Sequence, residues 1–192
     1  MPTIVQHFKQ CYKCPMKPPK VSITEFLFKE LLDFYFGRLK KYDNYRPDWL
    51  NGLEIDRYYP EIKVGVEFQG IQHYRPTKGM HENRDQFFDQ LSRDTQKIQV
   101  AAKQGVKIFP LGLADISPER FKYNMKQIAR AGTRTAHKNK DTRVVNIFKF
   151  IDWNREPNPK IFKRLEGIRR SPKWKARDQK KKKGLLRRIF GF

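Results

Sequence analysis

The segment Leu53–Tyr74, LEIDRYYPEIKVGVEFQGIQHY, constrains this chain more than any other. Leu53, Ile55 and Tyr58-Tyr59 make one strand-like run, and Val64, Val66 and Phe68 make a second, with Pro60-Glu-Ile-Lys63 as a tight turn between them. Apolar residues at alternate positions commit one face of such a hairpin to a core. Gly70 ends the second run. A two-residue turn at Glu61-Ile62 predicts that Asp56 stands opposite Glu67, because the two are equidistant from the turn centre; directly paired side chains share a face, about 5 Å apart at Cβ. Gln69 shares that face two residues further on, with Gln72 and His73 in the following loop. Like charges placed so close destabilise each other, and a buried carboxylate is costly unless something positive lies beside it.

That positive partner has two sources. One is a neighbouring base (Lys63, Arg57 or the helix near Arg93), in which case the carboxylates face solvent and the hairpin is ordinary. The other is a divalent cation, Mg²⁺ or Mn²⁺, which takes oxygens from one or two carboxylates plus water and phosphate oxygens. Such an ion at Asp56 and Glu67 would orient or deprotonate a water and stabilise charge on a phosphodiester in the transition state. His73 titrates near neutrality and could serve as general acid or base. Alternation by itself is compatible with both sources.

Around the hairpin, residues 1–21 read as an irregular arm, since Pro15, Pro18 and Pro19 follow Cys11-x-x-Cys14. Ser22-Ile-Thr-Glu25 has the spacing of a capping box before a helix from Thr24 to Phe36, with Phe26, Leu27, Leu31, Leu32 and Tyr35 on its apolar face and Gly37 as its stop. Asp43–Asn51 and Ile71–Asn83 read as loops. Phe87, Phe88, Leu91, Ile98 and Ala102 mark a helix from Arg84 to Gln104, and Val106–Leu111 a short buried strand. Ser117-Pro-Glu-Arg120 opens another helix that runs to about Ala131. The order helix-strand-strand-helix-strand-helix predicts one α/β core with a mixed sheet over residues 22–132. Beyond it, Val144–Ile151 is a strand or a short helix, Pro157 and Pro159 form a joint, and Lys160–Ile168 is amphipathic.

Asp56, ten intervening residues and then Glu67-Phe-Gln69 resemble the metal-binding signature of the PD-(D/E)xK nuclease superfamily, with glutamine where a lysine is commoner. EFQGIQHY, then a helix carrying Arg93-Asp94 and Lys97, then Gly105-Val-Lys-Ile, is similar to its very-short-patch-repair (Vsr)-like branch. That branch includes phage and intron-associated homing endonucleases with an E…D…H…D pattern. The resemblance spans about Ser22 to Gly112 and implies a restriction-endonuclease-like core and a metal-dependent DNA endonuclease. It implies Asp56 as central metal ligand, Glu67 as second acidic residue, Gln69 in the lysine's place and His73 as the active-site histidine. Glu25 would be the acid on the helix before the first strand, and Asp94 a polar residue on the helix that follows. Glu25 is also the last residue of the capping box, and Asp94 and Lys97, one turn apart, could pair with each other. With Gln69 present, either His73 or Lys97 replaces the missing cation, or the reaction leans more heavily on metal.

The formal charge of +22 points to a polyanionic partner, most often nucleic acid. Residues 133–192 hold 20 Lys/Arg against 5 Asp/Glu, so the last third reads as a basic extension that would contact double-stranded DNA. Its candidate contacts are Lys173, Lys175, Arg177, Lys180, Lys181, Lys182, Lys183, Arg187 and Arg188. A solvated tail, a nuclear signal or a membrane-surface helix are the other readings of this run. His7, Cys11 and Cys14 are spaced as three ligands of a Zn²⁺ site that lacks a fourth, or belong to an ordinary reduced arm. Two cysteines make no disulfide framework, and no apolar run is long enough for a membrane span; the expected setting is intracellular, in cytoplasm or nucleoid for a phage or bacterial protein and in the nucleus for a eukaryotic one. Two rivals to the nuclease stand beside it: a non-catalytic nucleic-acid-binding protein on the same fold, and a polybasic structural component that packs DNA or RNA.

Overall fold

The structure, a computed structural model, describes residues 22–69 and 84–171. Helix α1, Ile23–Phe36, forms because Leu27, Phe28, Leu31, Leu32, Tyr35 and Phe36 recur at three- and four-residue spacing, and all six are buried. Phe26, expected on that face, is 53 % exposed and falls outside the buried arc. The expected capping box does not form. The Ser22 side chain makes no cap bond, and Glu25 turns along the helix to pair with Lys29 at 2.6 Å. The helix does end at Gly37, whose amide donates to the Asp33 carbonyl; a Cβ there would come within 2.6 Å of that oxygen, so the position takes a glycine.

The four strands β1 (Tyr42–Tyr45), β2 (Ile55–Tyr59), β3 (Val64–Gln69) and β4 (Lys107–Gly112) lie in that order, the first three antiparallel and β4 parallel to β3. The mixed sheet is the one expected, with one strand more. β1 falls in the stretch read as a loop; it is an edge strand with no apolar alternation, and Asn44 within it has a φ of 53°. The β2–β3 register has the expected centre, with Tyr59 against Val64 and Arg57 against Val66. The turn is longer than two residues: Pro60–Ile62 is a 3₁₀ turn that buries Ile62, and Lys63 closes it in the left-handed region. The buried strand expected at β4 exposes Lys107 and Pro110, which an edge position permits.

β3 divides the molecule. Val64, Val66 and Phe68 join the main core with α1, while Glu67 and Gln69 face a cleft beneath α2, Arg84–Lys103. Of the apolar stripe expected on α2, Leu91 and Ile98 are 36 % and 51 % exposed, Ala101 is buried in place of Ala102, and the side chains of Phe87 and Phe88 lie outside those described. The helix covers a sheet face that carries a glutamate, so it turns Lys97 toward that face. Among the described residues, no helix is long and apolar enough to cross a membrane.

α3 runs Pro118–Lys138, past the end expected at about Ala131. The Ser117 hydroxyl accepts from the Arg120 amide and starts it, and Gly132 lies inside it because α4 (Thr142–Lys149) crosses there. A Cβ on Gly132 would meet the Phe148 ring at 2.6 Å and Ile62 at 3.2 Å. Asp141 caps α4, settling the strand-or-helix alternative as helix, and Asn158 caps α5, Pro159–Arg170. Val144, Phe148, Phe162 and Leu165 from these helices enter the same core as α1. The boundary expected at residue 132 therefore falls within α3, and the first part of the basic extension is packed structure.

Arg57 on β2 is 2 % exposed. Its guanidinium donates to both Asp43 oxygens at 2.7 and 3.1 Å, to Asp33 Oδ1 at 2.8 Å and to the Lys29 carbonyl at 3.0 Å. Lys41 also pairs with Asp33. Burial pushes the Asp43 carboxyl up, but Arg57 outweighs it and holds that carboxyl below its usual range. One buried side chain thereby ties β2 to β1 and to α1.

Replacing Arg57 by Met takes the buried donor from Asp43, from the Lys29 carbonyl and from Asp33, which keeps only Lys41; the unfolding free energy in urea should fall by about 3–5 kcal/mol. Gly132→Ala should gain up to about 1 kcal/mol of helix propensity and lose more to the collision with Phe148, for a net loss of about 1–2 kcal/mol in the same measurement. A more stable Ala variant would mean that α3 and α4 do not approach this closely.

Candidate functional site

The paired ladder between β2 and β3 stops at Arg57–Val66. Just beyond it, the Phe68 amide donates to Asp56 Oδ2 at 2.7 Å, so a carboxylate takes a bond that a strand carbonyl would otherwise supply. Asp56 and Glu67 are brought together as expected, but at the point where the two strands part. Neither pairs with Lys63, Arg57 or Arg93; Arg57 is committed to Asp33 and Asp43, and Arg93 Nε donates to the Asp89 carbonyl.

Glu67 Oε2 accepts from Lys97 Nζ at 2.7 Å, and both side chains are largely buried. Its other oxygen, Oε1, is buried and accepts no hydrogen bond. Burial and then the charge of Asp56 push the Glu67 carboxyl up to about 7, against the opposing pull of Lys97. Asp56 is raised as well, by burial, which outweighs the Phe68 hydrogen bond; the charge of Glu25 adds to the rise. Two carboxyls raised at one buried spot mark it as a candidate functional site.

Glu25 reaches this centre electrostatically from the first turn of α1, where Lys29 holds it. Gln69 and Asp94 line, with Glu67 and Lys97, a small cleft of about 30 Å³ floored by Ile108 and Pro110. Lys97, which could have been taken up by Asp94 within its own helix, reaches across from α2 to Glu67 on β3. Lys29 is the residue that sequence reasoning misses; its signal is the i,i+4 spacing from Glu25, which the capping reading absorbs. His73, the zinc candidates His7, Cys11 and Cys14, and the tail cations Lys173, Lys175, Arg177, Lys180, Lys181, Lys182, Lys183, Arg187 and Arg188 lie outside the described residues.

Among the described residues, no group of three or more His, Cys, Asp or Glu side chains could hold a metal ion by itself. Mg²⁺ asks for less, since one or two carboxylates suffice when water and phosphate oxygens complete the shell. The hard-oxygen pair of Asp56 and Glu67, with the unused Oε1, fits that demand.

No family model matches the chain, and no solved structure matches it. It is similar to the uncharacterized protein 307L of Invertebrate iridescent virus 6, 34 % identical over 93 residues that cover 42 % of this chain and 47 % of that protein. It is also similar to the uncharacterized protein 033L of Invertebrate iridescent virus 3, 36 % identical over 72 residues that cover 35 % of this chain and 37 % of that protein. The uncharacterized protein 094L of Frog virus 3 is 31 % identical over 84 residues, 42 % of this chain and 54 % of that protein. The chain thus spans about half or less of the length of these curated viral relatives.

A carboxyl raised on folding contributes stability in full below its unfolded value, and that contribution is lost as pH rises through about 7. In metal-free buffer, the protein should therefore lose roughly 2–3 kcal/mol of unfolding free energy between pH 5 and pH 8 that Glu67→Gln does not lose. Urea titrations of both proteins across that range read the difference directly, and parallel profiles would remove Glu67 from the centre.

Proposed function

We propose that this protein is a divalent-metal-dependent DNA endonuclease with a restriction-endonuclease-like, Vsr-like core. The observation that carries the reading is the buried Asp56–Glu67 pair, whose carboxyls are both raised and one of whose oxygens, Glu67 Oε1, accepts nothing. Asp56 and Glu67 would hold Mg²⁺ or Mn²⁺. When bound, such an ion supplies Lewis-acid stabilisation of a phosphodiester and a more acidic water.

The remaining roles fall to side chains of this chain. Lys97 arrives from α2 at the carboxylate where the resemblance expects a lysine from β3, and its ammonium would balance negative charge near Glu67. Gln69, uncharged, would then orient rather than neutralise. Phe68 holds Asp56 in place through its backbone amide, and Glu25 adds negative charge on the α1 side. His73 is the candidate general acid or base, and Asp94 a polar residue of the same cleft. The tail cations would contact phosphates without reading sequence. A homing or mobile-element role follows from the resemblance. Zn²⁺ at His7, Cys11 and Cys14 would be structural.

One observation favours the second reading, a binding protein on a nuclease fold: Lys97 already neutralises Glu67, as a purely structural pair would. Incubation of plasmid DNA with Mg²⁺ or Mn²⁺ separates the two. The wild type should cut, and Asp56→Asn, which keeps an acceptor for the Phe68 amide, should cut at least about a hundredfold more slowly, as should Lys97→Met. Full cleavage by Asp56→Asn would sink the site assignment, and no cleavage by any form would leave the binding reading.

A further inference from the structure

α3 carries Lys122, Lys126, Arg130, Arg134 and Lys138 at strict four-residue intervals. Like charges at that spacing on a helix repel, so the run weakens the helix it sits on. Among the described residues, the ion pairs leave Lys126, Arg130 and Arg134 without a carboxylate. The same holds for Lys149 on α4, although Arg120 and Arg143 nearby are paired with Asp115 and Glu61. Ion pairing within the fold gives no reason for these four cations to be together.

They are together around a concavity. The close crossing at Gly132 sets α4 beside α3, and between them lies a groove of about 710 Å³. Lys126, Arg130, Arg134 and Lys149 line its sides, over a floor that includes Phe148 and Trp153. Lys126 Nζ stands 5.7 Å from the centre of the Trp153 ring. No residue of the Asp56–Glu67 centre lines this groove.

We propose that the α3–α4 groove is a binding surface for the phosphodiester backbone of a nucleic acid. Lys126, Arg130 and Arg134 would follow one strand, and Lys149 would close on it from the other wall. Four residues of helix advance about 6 Å, a step of the order of the distance between successive phosphates, so the ladder meets one regular row of charges. The formal charge of +22 on the whole chain favours an extended polyanion of this kind over a single acidic protein segment. The inference rests on the nucleic-acid partner named above but not on catalysis, and it puts the anchoring cations in the packed body as well as in the tail.

The test is the salt dependence of binding of the full chain to a fluorescent duplex, followed by anisotropy. The triple variant Lys126→Gln/Arg130→Gln/Arg134→Gln should lower the slope of log K against log salt by about 2 to 3, near 0.9 for each phosphate that is no longer neutralised. Its thermal midpoint should be no lower than wild type, since repulsion has been removed. Lys160→Gln/Lys163→Gln/Arg164→Gln on α5 removes equal charge elsewhere and should change the slope by less than about 1. Arg130→Lys/Arg134→Lys should keep the wild-type slope. Single-stranded DNA and RNA, at about 0.7 per neutralised phosphate, show which strand type the groove prefers. An unchanged slope in the α3 variant, or an equal drop in both triples, overturns the proposal. Binding that depends on the groove in a protein that never cleaves would end the nuclease reading and leave this one standing.

Discussion

The Arg57 guanidinium is the interaction on which the rest of the arrangement depends. It lies buried on the second strand of the sheet and binds Asp43 with two bonds, Asp33 with one and a helix carbonyl with another. A buried cation is tolerable only when its donors meet fixed acceptors, and here the acceptors belong to β1 and α1. The edge strand β1 has little apolar content of its own, and this clamp supplies what alternation does not. Because Arg57 is consumed on the α1 side, it is unavailable to the acids on either side of β3.

That division of charge creates the candidate centre. Past Arg57–Val66 the strands part, Asp56 accepts the Phe68 amide, and Glu67 turns to the cleft under α2. Lys97 offsets part of the negative charge, yet Glu67 is still raised to about 7. On the proposed nuclease reading, a bound ion would take the oxygen left without a partner, and Lys97, which approaches the same carboxylate from the facing helix, would stand in for the lysine that Gln69 replaces.

The basic character of the chain resolves into different populations. Some cations, such as Arg57 and Lys29, hold acids inside the fold; others, such as Arg169 and Arg170, pair with Glu166 on the surface of α5. Those that line the α3–α4 groove do neither. A composition of +22 cannot separate these roles, because it counts charges without their partners.

Much of the fold was legible in local patterns. The α1 stripe, the hairpin centre between Glu61 and Ile62 and the proline-marked start of α3 all follow from spacing, and each survives folding because its apolar face has one side to bury. Where local pattern misled, a distant partner decided. The capping box yielded to Lys29, Tyr42–Tyr45 became a strand because Arg57 grips Asp43, and Gly132 stayed helical because Phe148 needed its missing Cβ. By itself the sequence determined that Asp56 and Glu67 would lie near each other, since that depends only on alternation and a turn a few residues away. Alternation also turns Arg57, the next residue along β2, to the opposite face from Asp56; that Lys97 of α2 would meet the charge of Glu67 was decided by tertiary structure. The two cations stand on different sides of one sheet, and local sequence carries no information about which helix will cover which face.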